Sequence, residues 1–218
     1  MILLSIYDPV HHRASGSDNY CYGAVMNGTD DIIHQVKFHL HCWTRYDSRI
    51  MMVNELKKLL GFQSVELIRH QTYIVSKYQY GDVTLDHVQY HNISNRLKNK
   101  IRATFALRYI LGMRANTERS IVIRNHQPLS LDDKFPSIHI YGARYRATIS
   151  RDVQNRWFDY DDIDKAVRYF PVWMDELPIV KIRIFESLAH TIMKIMTKWG
   201  CGYLYNYLID NLRQGLND

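Results

Sequence analysis

The segment from Ile182 to Trp199, IRIFESLAHTIMKIMTKW, constrains the fold more than any other stretch of the chain. On a helical wheel Ile184, Phe185, Leu188, Ala189, Ile192, Met193, Ile195, Met196 and Trp199 fall in one wide arc. Arg183, Glu186, His190, Lys194 and Thr197 fill the opposite one. The pattern predicts an amphipathic helix. Pro178 precedes it, where a missing N–H costs little, and Gly200 follows its last apolar residue as a left-handed cap would. Each large side chain of the arc gains about 1.5–3 kcal/mol on burial, so the helix needs a core to lie on. The stripe of Arg183, His190, Lys194 and Lys198 also suits a helix resting on an anionic membrane, but inside a globular chain such an arc ordinarily faces the core.

The rest of the sequence supplies that core in two styles. Residues 1–92 are β-rich. ILLSIYDPV reads as a buried strand stopping at Pro9, NYCYGAV as a second, and Ile32–Trp43 as a third. In the third, Val36, Phe38, Leu40 and Cys42 alternate with Gln35, Lys37, His39 and His41, the signature of a half-exposed strand. A helix follows in RIMMVNELKKLLGF, ended by Gly61; then come the strands SVELIR and TYIVSKYQY, a turn at Gly81-Asp82, and the strand VTLDHVQY. Residues 93–218 mix helix and strand. A helix from near Ser94 enters with Arg96, Lys98, Lys100 and Arg102 and continues as apolar ATFALRYILGM, in which Arg108 must find a carboxylate, carbonyl or anion if buried. RSIVIR reads as a strand, NHQPLSLDDKFP as a loop, and SIHIYGARYRATIS as a long strand. The expected fold class is therefore α+β: a single domain of antiparallel sheet packed with about five helices, near 48–60, 94–113, 162–170, 180–199 and 202–214.

Charge points to a partner. Residues 93–151 carry twelve Lys and Arg against three acids, whereas residues 152–178 carry three against seven, within a chain whose net charge is +6. A block of one sign suits an anionic partner, although a solvated face explains it more cheaply. Arg96, Lys98, Lys100 and Arg102, with Arg144, Tyr145 and Arg146 on the long strand, combine cations for phosphates with an aromatic face for unpaired bases. No zinc finger, RNP1 motif or GXXG loop accompanies them.

Other chemistry is less well supported. His39 and His41 share a strand face at a spacing zinc can use, yet no third ligand stands out. Asp159, Asp161, Asp162 and Asp164 could hold a divalent ion for phosphodiester cleavage, but helix capping explains them more simply. Glu55-Leu-Lys57 resembles half of a nuclease motif but falls on a helix, and His70-Gln-Thr72 lacks the second His-x-Thr/Ser triplet of a two-histidine phosphoesterase. Cys21, Cys42 and Cys201 are distant and odd in number, which fits reduced thiols, with Cys201 a buried corner residue rather than a nucleophile. No apolar run is long enough to span a bilayer, and no signal peptide is evident.

The resulting expectation is a non-enzymatic basic binding and assembly protein that contacts nucleic acid, RNA ahead of DNA, needs no metal or cofactor, and works in a reducing cytoplasmic setting. Sixteen Tyr, eleven His and eight Met against nine Ala give it a viral or phage character. One alternative is a virion matrix-like protein that self-associates and touches an anionic membrane and nucleoprotein. The other is a metal-dependent nuclease or phosphoesterase built on Asp159, Asp161 and Asp162.

Overall fold

The computed structural model describes residues 2–6, 20–26, 32–42, 47–70, 73–110, 117–131, 153, 156–158 and 183–206. Five strands, β1 (Ile2–Ile6), β2 (Tyr20–Met26), β3 (Ile33–Cys42), β4 (Ile68–His70) and β5 (Tyr73–Lys77), form one antiparallel sheet in the order β1-β2-β3-β5-β4. The sheet curls until its edge strands β1 and β4 approach each other, which nearly closes it. Cys21, Val25, Phe38, Leu40 and Val75 fill the inside of the curl. Register irregularities between Leu3 and Ser5 on β1, and between Leu40 and Cys42 on β3, supply the local bends that such curvature needs. Gly23 lies where the wall is tightest: a Cβ there would sit 2.9 Å from Leu3 Cδ1, Phe38 Cε2 and the Ser5 carbonyl. Gly23→Ala is accordingly expected to destabilise the protein by about 1–3 kcal/mol through overpacking. A urea unfolding midpoint equal to that of the unmodified protein would contradict that close approach.

Helix α1 (Asp47–Leu59) connects β3 to β4, and its Ile50 packs on Ile74 of β5. It ends at Gly61, whose φ is 75°, with Gly61 N–H bonding the Lys58 carbonyl and Phe62 N–H the Lys57 carbonyl. Those two bonds form a Schellman cap. A second, three-stranded antiparallel sheet is built from β6 (Val83–Thr84), β7 (Ile121–Arg124) and β8 (Gln127–Ser130). Against it lies α2 (Asn95–Ile110), whose Leu97, Ile101 and Phe105 share a core with Leu85, Ile121, Val153, Trp157 and Phe158. Helix α3 (Arg183–Lys198) packs against α1, with Ile192 and Met196 fully buried and His190, Lys194 and Thr197 exposed. It closes on Gly200 in a second Schellman cap, with Gly200 N–H to the Thr197 carbonyl and Cys201 N–H to the Met196 carbonyl.

This architecture corrects the expected packing of about five helices on sheets. Three α-helices occur among the described residues, and the organising body is the curled five-stranded sheet. Residues 162–170 lie outside the described residues, and the segment expected as a helix over 202–214 begins as the 3-10 turn Gly202–Leu204. The strand expected over VTLDHVQY shortens to β6, followed by 3-10 turns at Leu85–His87 and Tyr90–Asn92. Conversely, the loop expected at NHQPLSLDDKFP contains β8. Asn125 and His126, both at positive φ, make a two-residue turn of the primed kind, and Pro128 is tolerated because β8 is an edge strand.

Candidate nucleic-acid interface

The four cations at the start of α2 do not form one face. Positions two apart on a helix point to nearly opposite sides, so Arg96 and Lys100 share one side while Lys98 and Arg102 share the other. Arg96 is exposed, and Lys100 reaches across to β8, its Nζ donating to Gln127 Oε1 at 2.9 Å. On the other side, Lys98 Nζ stands 4.0 Å from the centroid of the Tyr90 ring, and Arg102 donates to Tyr90 Oη at 3.5 Å and to Asn99 Oδ1 at 3.3 Å. The Ser94 hydroxyl accepts the Leu97 N–H at 3.3 Å, which fixes where α2 begins relative to Tyr90.

A second layer supports this side. Arg102 Nε donates to the Trp157 carbonyl, and the Trp157 ring meets Tyr90 edge-on at 5.2 Å. Glu118 receives both the Trp157 indole N–H at 2.6 Å and Arg156 Nη1 at 3.0 Å, while Arg156 also donates to the Val88 carbonyl. Lys98, Arg102 and Arg156 thus surround Tyr90 and Trp157, with His91, Asn92, Ser94 and Asn95 exposed beside them. Such a surface can meet phosphates with its cations and a base with an aromatic face. Tyr90 and Arg156 escape sequence reasoning because Tyr90 falls in a segment that reads as strand and Arg156 in an acidic stretch. Arg144, Tyr145 and Arg146, the strand half of the expected site, lie outside the described residues.

The histidines considered for zinc have other duties. The alternation on β3 is real, but both faces are covered at its C-terminal half: Phe38, His39, Leu40 and His41 are all buried. His41 Nε2 is 2.7 Å from Ser76 Oγ, and His39 Nε2 is 2.7 Å from Asp82 Oδ2. Asp82 is also gripped by a guanidinium fork, with Arg124 Nε to Oδ1 at 2.8 Å and Nη2 to Oδ2 at 2.6 Å, and Arg124 Nη2 reaches the Lys77 carbonyl at 3.0 Å. This cluster joins the two sheets, β3 through His39 and β7 through Arg124. Burial pushes the His39 pKa below 6.5, with the Asp82 hydrogen bond pulling the other way, so His39 is neutral and donates from Nε2. For Asp82, burial would raise the pKa, but Arg124, the Gln79 N–H and His39 together hold it below 3.8.

Among the described residues no group of three or more His, Cys, Asp or Glu side chains is placed to hold a metal ion, and the run 159–164 lies outside them. Glu55 pairs with Lys198, whereas Lys57 is buried and donates to the Ser130 carbonyl at 3.2 Å, so the Glu55-Leu-Lys57 triplet does not converge. Arg108 is buried and bonded to Ser130 Oγ and, at 2.8 Å, to the Leu131 carbonyl. Cys21 and Cys201 are free and buried; burial raises both thiols, Cys21 to about 11. No helix among the described residues is long and apolar enough to cross a membrane. No protein-family model and no curated protein matches this chain.

Proposed function

We propose that this is a non-enzymatic basic binding and assembly protein of viral or phage character that contacts nucleic acid, RNA ahead of DNA, through the start of α2. The observation that carries the reading is the Lys98 ammonium over the Tyr90 ring, with Arg102 on the Tyr90 hydroxyl, His91 exposed beside them and Arg96 exposed on the other side of the same helix start. Arg144, Tyr145 and Arg146 belong to the same basic block in sequence and join the proposal as its second half. Free buried thiols support a reducing compartment. The membrane-contacting alternative draws no support from α3, because Ile192 and Met196 of its apolar arc are buried in the protein itself.

The test is binding of a labelled single-stranded RNA across a salt series, with and without Mg²⁺, checking the RNA for cleavage. Affinity should fall steeply with salt on intact RNA, and Arg96→Ala should lower the slope by about 0.7, the loss of one phosphate contact. Absence of binding at low salt would overturn the proposal, and Mg²⁺-dependent cleavage would favour the nuclease alternative.

A further inference from the structure

The outer face of the curled sheet carries a second arrangement of cations and aromatic rings, separate from α2. Tyr22 on β2 and Lys37 on β3 are direct cross-strand partners, and their side chains stand on the face opposite the Phe38 core. Lys37 Nζ lies 4.5 Å from the centroid of the Tyr78 ring, which in turn lies 5.3 Å from the His39 ring at a tilt of 51°. Tyr78 is held from both ends, its N–H on the Lys37 carbonyl at 3.1 Å and its hydroxyl on the Asp82 carbonyl at 3.3 Å.

Two residues on, Tyr80 occupies the first corner of a tight turn. Asp82 N–H bonds the Gln79 carbonyl at 3.0 Å, and Gly81 at φ 91° sits at the second corner, the geometry of a type II turn. The Gln79 N–H is also tied to Asp82 Oδ2, so the turn is anchored to the buried cluster. Tyr80 is nevertheless fully exposed, and Tyr22 is 38% exposed. A large aromatic ring wholly in water contributes no burial to the fold. Lys37 is the cation on this side of β3, and the carboxylate that β2, β3, β5 and the turn contribute, Asp82, is 1% exposed and engaged by Arg124 and His39.

We propose that this face, Tyr22, Lys37, Tyr78 and Tyr80, is a stacking platform for the unpaired bases of a single-stranded nucleic acid. It rests on the nucleic-acid reading above and deepens it by naming single strands as the partner. The physical reason is that a base in a duplex has its faces covered, whereas rings presented on a rigid sheet and turn accept any unstacked base. Lys37 supplies the phosphate attraction. Because stacking uses base faces, RNA and DNA single strands bind alike here.

The test measures anisotropy of fluorescein-labelled rU12, dT12 and a 12-base-pair duplex with the full chain and with Tyr80→Ala, Tyr22→Ala, Tyr80→Phe and Arg96→Ala. Tyr80→Ala and Tyr22→Ala should each weaken rU12 and dT12 by about tenfold, leave the salt slope and the duplex affinity unchanged, and melt as the unmodified protein does. Tyr80→Phe, which keeps the ring, should bind as the unmodified protein. Oligonucleotide binding that is sensitive to Arg96→Ala but not to either tyrosine substitution overturns the platform and leaves the α2 reading standing. A change in sedimentation without a change in oligonucleotide binding also overturns it, making the face a protein contact. Failure of the unmodified chain to bind any probe at low salt overturns the nucleic-acid reading, and the platform with it.

Discussion

Asp82→Ala is expected to destabilise the protein by about 3–5 kcal/mol, because it strands the Arg124 guanidinium in a site 7% exposed without its carboxylate. The loss has a second part. His39, fully buried, loses the acceptor of its Nε2–H, and Gln79 N–H loses the oxygen that anchors the turn. Urea unfolding should show a lowered midpoint with little change in slope, and a midpoint within experimental error of the unmodified protein would contradict the role given to the cluster. Acid should act in the same direction. A histidine with a depressed pKa in the folded state binds its proton more readily when unfolded, so its contribution falls as pH drops through 6.5, the ordinary His value. The depressed Asp82 contributes above its ordinary pKa of 3.8 and loses that contribution as pH falls further, through its folded value. Stability should therefore decline in two stages on acidification, and Asp82→Ala should remove the lower one.

Trp157→Ala should cost a similar amount, about 3–5 kcal/mol, since the indole is 0% exposed at the centre of the core beneath α2. It should also weaken RNA binding in protein that remains folded, because the Trp157 ring braces Tyr90 and its indole N–H fixes Glu118, which holds Arg156. Trp157→Phe separates the two effects. It keeps most of the buried area but leaves the Glu118 oxygen without its indole donor, so stability should fall less than in the alanine variant. Thermal unfolding and RNA affinity measured on the same preparations check both expectations, and an alanine variant as stable as the parent would contradict the core assignment.

Where the chain carries a long periodic pattern or a glycine stop, sequence reasoning reaches the structure closely. The apolar arc of α3 and the caps at Gly61 and Gly200 follow from helical spacing and from the need for a residue at positive φ. It fails where a second element covers a surface that looks polar. The outer side of β3 holds His39 and His41 and reads as solvent-facing, yet Asp82, Arg124 and Ser76 satisfy those histidines in the interior. β8 is hidden by Pro128 and by a turn without glycine, and the 3-10 turns carrying Tyr90 imitate a strand by alternation. The basic quartet of α2 shows the same limit: its charges are obvious, but helix geometry divides them into two sides. Tyr90, which joins Lys98 to Arg102, is visible only in three dimensions.

RNA contact at the start of α2 is tested most directly by photocrosslinking a 4-thiouridine-substituted single-stranded RNA to the full chain, followed by mass spectrometry of the attached peptides. Adducts are expected on the segment spanning Tyr90 to Arg102, lost at high salt and reduced in Arg96→Ala. Adducts confined to α1 and α3, or none at low salt, would contradict it.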